Sequence, residues 1–167
     1  TCCPGISAFD FEGDGSWELL LNDFGSIYVY RGDTGGLIYT AARPSQTNLE
    51  LPVVADVDND GAADLFVLRA SGNSLYRNDG KGHFTDITRT AKLPPYPALP
   101  GAAAFVDIDH DGDVDLLIAG LADVAATRRQ TGGPWEFPGG FAPAPLQLLR
   151  NNGNGTFTKN ETEVVTT

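Results

Sequence analysis

An all-β fold made of β-propeller blades, about three four-stranded antiparallel repeats from a larger propeller, is predicted by three observations. Short acidic segments recur along the 167 residues, beginning at Asp10, Asp56 and Asp107. Each lies between two apolar or small-residue runs of strand length, residues 6–9 and 19–21, 52–55 and 65–68, 102–106 and 116–119. Such runs, bounded by Gly and Asp, are too short for helices. A second shared element follows at residues 75–85 and 148–158, where Asn, Asp and Gly supply the positive φ that a tight hairpin needs.

The first unit, about residues 5–41, reads as a strand, an acidic loop, a strand, and then a looser hairpin in which residues 27–31 lead through Gly32, Asp33, Gly35 and Gly36 to residues 37–40. The middle unit, about 52–90, carries the tight hairpin, and the last, about 102–162, adds a long insertion before it. A four-stranded sheet of this kind buries both faces only against neighbouring blades. The reading is therefore one partial propeller domain over 1–167, with its remaining blades in a parent chain. Thr1 at the start and the lack of Met are expected of a processed or excised piece. Cys2 and Cys3 are adjacent and form no disulfide framework within the domain.

Eleven basic against 22 acidic residues set a net charge of −11, which repels nucleic acid and anionic membrane surfaces. No apolar run approaches the roughly 18 residues of a membrane span, so no membrane insertion is expected. Thirteen of the acids crowd into three segments: Asp10, Glu12, Asp14 and Glu18; Asp56, Asp58, Asp60 and Asp64; Asp107, Asp109, Asp111, Asp113 and Asp115. Carboxylates about 4 Å apart repel by roughly 4 kcal/mol at an effective dielectric near 20. The expectation is that a cation closes these loops.

Calcium is the cation the spacing suits. Counted from Asp56 or Asp107, side-chain oxygens fall at positions 1, 3, 5 and 9, and alternate residues of a curled loop can point at one centre. Gly61 and Gly112 take the sharp turn at position 6, and Ala62 or Asp113 at position 7 can offer a backbone carbonyl. An EF-hand is excluded, because position 12 is Val67 or Ile118 rather than Glu and lies in a strand. The first loop places Asp10, Glu12, Asp14, Ser16 and Glu18 at the same positions. Its longer Glu arms alter the cavity, and weaker binding is expected there.

The paired patterns DxDxDGxxDL and LYRNxGxGxFT resemble the FG-GAP and VCBS-type repeats of integrin α-subunit propellers and of many secreted bacterial proteins. The resemblance covers most of the chain. It implies blades with Ca²⁺ in the hairpin between the first and second strands, at the acids just named. Departures are the two Glu of the first loop, its degenerate hairpin and the long insertion in the last unit.

If the acidic loop joins strands 1 and 2, and the Gly-rich turn joins strands 3 and 4, both lie on one face of the ring. The other face then carries the insertion at about 121–145, with Arg128, Arg129, Trp135, Phe137 and Phe141. Aromatic platforms and cations suit a sugar or an acidic peptide; the same aromatics could instead pack the loop onto its blade. Residues 94–100 read as a Pro-rich spacer on that face. Arg31-Gly32-Asp33 matches an integrin-recognition tripeptide but shares the register of Arg77-Asn78-Asp79, so it reads as part of a hairpin. His83 and His110 have no partner pattern and read as structural.

No nucleophile motif, phosphate loop or zinc triad is visible, and the segment is read as a non-enzyme. The functional expectation is a calcium-binding module for extracellular adhesion, protein or carbohydrate binding, or scaffolding within a secreted or periplasmic protein. The alternative is the propeller of a secreted enzyme whose catalytic residues lie mostly elsewhere.

Overall fold

The computed structural model describes residues 5–23, 26–42, 50–70, 72–96, 98–123, 125–127 and 141–159. Three antiparallel sheets follow one another along the chain. The first holds β1 (Gly5–Phe9), β2 (Glu18–Asp23), β3 (Ser26–Arg31) and β4 (Leu37–Ala42). The second holds β5 (Glu50–Ala55), β6 (Asp64–Arg69), β7 (Ser74–Asn78) and β8 (Phe84–Asp86). The third holds β9 (Leu99–Val106), β10 (Asp115–Ala122), β11 (Gln147–Asn151) and β12 (Phe157–Lys159). Each sheet is a simple meander, the β-propeller blade expected from the repeats.

The core lies between sheets rather than within one. Every residue of β6 is buried, which breaks the in-out alternation of a half-exposed strand because both of its faces are covered. Leu65 and Val67 pack with Phe11, Leu20, Ile27 and Val29 of the first blade. Phe66 and Leu68 pack with Leu116, Ile118, Leu149 and Phe157 of the third. Each such side chain contributes roughly 1.5–3 kcal/mol by leaving water. At the ends of the row this cover stops, and Val106 and Ile108 on the third blade are 41% and 36% exposed.

Position 2 of the first two acidic loops is a buried apolar peg. Phe11 meets Phe84 of the second blade edge-on at 5.5 Å, and Val57 joins the cluster containing Phe157 of the third. At the opposite end of the second blade, Glu50 and Arg69 are register partners and form a buried ion pair at 2.7 Å, with Ser74 Oγ accepting from Arg69.

Residues 94–100 are more than a spacer. Tyr96 is buried, and its hydroxyl donates to the Pro145 carbonyl at 2.6 Å, tying this link to the far end of the insertion. Tyr96→Phe removes that bond and the one the hydroxyl accepts from the Gly120 backbone, and a loss of about 1–2 kcal/mol is expected in urea unfolding; an unchanged midpoint would show that the tie contributes nothing. The insertion runs from the end of β10 to the start of β11, and its base is closed by the bridge Asp123↔Ala142 and by Ala142 N donating to Thr127 Oγ1 at 2.9 Å. Phe141 is half-buried at that base. Arg128, Arg129, Trp135 and Phe137 lie outside the described residues, as do Cys2 and Cys3.

Candidate metal centres

The strand register sets the loop geometry. Phe9↔Glu18, Ala55↔Asp64 and Val106↔Asp115 are cross-strand partners, so the position 9 acid is already the first residue of the blade's second strand. It is buried for that reason in all three blades. Glu18 accepts from Phe11 N at 2.7 Å, Asp64 from Val57 N at 3.0 Å and Asp115 from Ile108 N at 3.4 Å. The other oxygen of Asp64 accepts from Asn78 N at 2.8 Å, and that of Asp115 from Asn151 N at 2.9 Å.

Position 1 closes the loop on its own backbone. Asp10 accepts from the amides of Asp14 and Gly15 at 3.2 and 2.9 Å, Asp56 from those of Asp60 and Gly61 at the same distances, and Asp107 from Gly112 at 3.1 Å. At position 5, Asp14, Asp60 and Asp111 each accept from the amide two residues on. Asn59 and His110, both exposed at position 4, take φ of 58° and 61°, and Gly61 and Gly112 take 88° and 96°. Backbone N–H groups thus meet part of the charge, because a curled loop aims its amides inward.

What remains unmet is specific. Carboxylate oxygens of Asp56, Asp58 and Asp64 lie within 4.8 Å of one another, as do those of Asp107, Asp109 and Asp111. Asp58 Oδ1 and Asp107 Oδ1 are buried and have no hydrogen-bond partner. Burial, then the charges of Asp60 and Asp56, push the Asp58 carboxyl up; burial likewise pushes Asp64 up to about 6, against the pull of its two amide bonds. Glu18 is also raised, chiefly by burial. A hard cation would relieve all of these, and oxygen-only donors suit Ca²⁺. Ala62 is buried at position 7, whereas Asp113 reaches sideways to accept from Asn59 Nδ2 at 2.7 Å. Among the described residues, the first loop brings no such trio of acids together; Ser16 is half-buried, and Glu12 pairs with Arg31.

The sequence reading missed two features of the second element. Asn78 and Asn151 are not turn residues but the last residues of β7 and β11, both buried. Asn78 Nδ2 donates to the Phe11 and Ala63 carbonyls, and Asn151 Nδ2 to those of Val57 and Val114 at 2.8 and 3.2 Å. Each Asn thus staples its own acidic loop to that of the preceding blade. In the first blade the matching residue is Gly32, where a Cβ would stand 2.1 Å from the Trp17 carbonyl oxygen. That close approach, rather than a recognition tripeptide, accounts for the glycine. The preceding residues Arg31, Arg77 and Arg150 pair with the position 3 acids Glu12, Asp58 and Asp109. The shared Arg-Asn dipeptide was the available signal.

A lectin of Agrocybe aegerita, solved for its specific recognition of non-reducing terminal N-acetylglucosamine, superposes with a TM-score of 0.52 at 16% identity. The match covers 96% of this chain but 38% of the lectin's own length, so the two share a fold over part of a larger protein. No curated protein matches the sequence. The FG-GAP-like repeat profile matches residues 10–67 and again 56–118, each span running from one acidic loop into the second strand of the next blade. With that match spanning most of the chain, and three blades carrying the acidic loops, this protein belongs to the FG-GAP-like repeat family.

Proposed function

We propose that this chain is a calcium-binding stretch of β-propeller serving a secreted or periplasmic protein as an adhesive, ligand-binding or scaffolding module. The observation that carries the reading is the pair of buried, unpartnered carboxylate oxygens, Asp58 Oδ1 and Asp107 Oδ1, each set among other carboxylates. A buried acceptor left unmet costs about 1–3 kcal/mol, and more when charged. In the second blade Asp56, Asp58, Asp60, Asp64 and the Ala62 carbonyl would hold the ion; in the third, Asp107, Asp109, Asp111, Asp115 and the Asp113 carbonyl. Bound there, calcium pins the hairpin between the first two strands of each blade. The reading gives this stretch no catalytic role.

Loops of this kind in extracellular modules bind at about 10⁻⁴ to 10⁻³ M, a range filled by calcium outside the cell. Among the described residues, no helix is long and apolar enough to cross a membrane. The shared fold with a glycan-binding lectin favours a sugar among the ligand classes, with the insertion after β10 as the segment to test. Calorimetric titration with calcium chloride is expected to find two sites, with Asp58→Asn and Asp109→Asn each removing one. A flat titration of the ion-free protein at millimolar calcium would end the calcium reading. On a glycan array, Trp135→Ala is expected to lose whatever signal the chain has; an unaltered pattern would take the insertion out of ligand binding.

A further inference from the structure

The third strand of each of the three blades carries, as its last or next-to-last residue, an arginine that reaches the position 3 acid of the same blade. Arg31 pairs with Glu12 and Arg150 with Asp109, while Arg77 Nη1 lies 3.9 Å from Asp58 Oδ2. Arg150 also approaches Asp115 Oδ2 at 3.4 Å, so one guanidinium spans two carboxylates of the third loop. These contacts are not free surface pairings. Leu65↔Tyr76 and Leu116↔Leu149 are register partners, which sets Arg77 and Arg150 across from the position 9 acids Asp64 and Asp115. The β-ladder therefore holds each arginine stem at the mouth of an acidic loop.

We infer that this arginine is the internal counter-ion of its loop, holding the position 3 carboxylate in the calcium-free protein and giving it up to the ion, so that it sets the order in which the sites fill. The inference rests on the calcium reading above. A dication entering the loop meets a guanidinium already on one of its ligands. Either the ion pair breaks or two cations sit close together, and both weaken binding. The third loop has the most acids and would fill first on charge alone. Its arginine is also the more tightly engaged: the Arg150 side chain is 27% exposed and bridges two carboxylates, whereas that of Arg77 is 54% exposed and reaches one at long range. The second site should therefore fill before the third.

The test is calcium titration and thermal melting of the whole chain at low salt, for the wild type, Arg150→Gln and Arg77→Gln. Arg150→Gln is expected to tighten one site about fivefold, the scale of a partly exposed ion pair, with Arg77→Gln within about twofold. It should also lower the melting temperature of the calcium-free protein and leave the calcium-saturated value where it was, since the ion then replaces the lost charge. An equal fall in both melting temperatures would mark the arginine as a packing residue and overturn the inference. So would unchanged or weaker calcium affinity in Arg150→Gln while the wild type still binds. No heat of binding in the wild type would instead overturn the calcium reading itself. Should Arg150→Gln not fold, Arg150→Lys, whose point charge cannot span Asp109 and Asp115 together, is expected to tighten the same site about twofold; wild-type affinity there would count against the inference.

Discussion

Adding about 10 mM calcium to the ion-free protein is expected to raise its melting temperature by about 6 to 20 °C. Binding to the folded state alone stabilises by RT ln(1 + [L]/Kd), about 1.4–2.7 kcal/mol per site at 10 to 100 times Kd, or about 3–5 kcal/mol for two sites. A domain of this length gains about 2–4 °C per kcal/mol. The increment should depend on pH in a definite direction. In the ion-free protein the Asp64 carboxyl titrates at about 6, above the ordinary value of 3.8. Its contribution to stability is complete below the unfolded value and is lost as pH rises through 6, because the folded state resists the charge. Calcium needs the charged form, so its stabilising increment should be largest at neutral pH and shrink as pH falls through 6. Differential scanning at pH 7.5 and pH 5, with calcium and with chelator, checks both signs. A melting temperature indifferent to calcium at pH 7.5 would remove the metal from the account.

Asn151→Ala is expected to cost about 2–4 kcal/mol, since it strips the donor from one buried and one part-buried carbonyl at once. Asn151 Nδ2 is the donor to Val57 O in one blade and Val114 O in its own, and its Oδ1 accepts from Gly153 N at 3.2 Å. No water can replace a donor held in that seam without opening it. The effect belongs to the joint between blades, so the urea midpoint should fall at an unchanged slope, and Asn78→Ala should behave alike at the joint between the first and second blades. A loss below about 0.5 kcal/mol, the scale of an ordinary surface change, would mean that apolar packing alone holds the blades together.

Much of the architecture was legible because its causes are local. The acidic loops at Asp10, Asp56 and Asp107, and the runs beside them, mark where strands must stop and turn. The four-residue link 70–73 and the long insertion are where the sequence placed them. That the acidic loop and the Gly-rich turn share one end of each blade followed from strand alternation alone. The second element was legible as a hairpin but not as a joint, since Arg77-Asn78 and Arg150-Asn151 have an ordinary turn composition, and only their neighbours show what they do.

Read alone, the chain of residues settled the blade repeat and the positions of the carboxylates, because strand length, turn residues and acid spacing are all counted within about ten residues. Folding in three dimensions settled which carboxylates stay unmet and which groups meet the rest. Asn78 reaches back 67 residues to Phe11, and Asn151 reaches back 94 to Val57. No local period encodes such contacts, and burial between two blades raises the cost of every polar group that they leave without a partner.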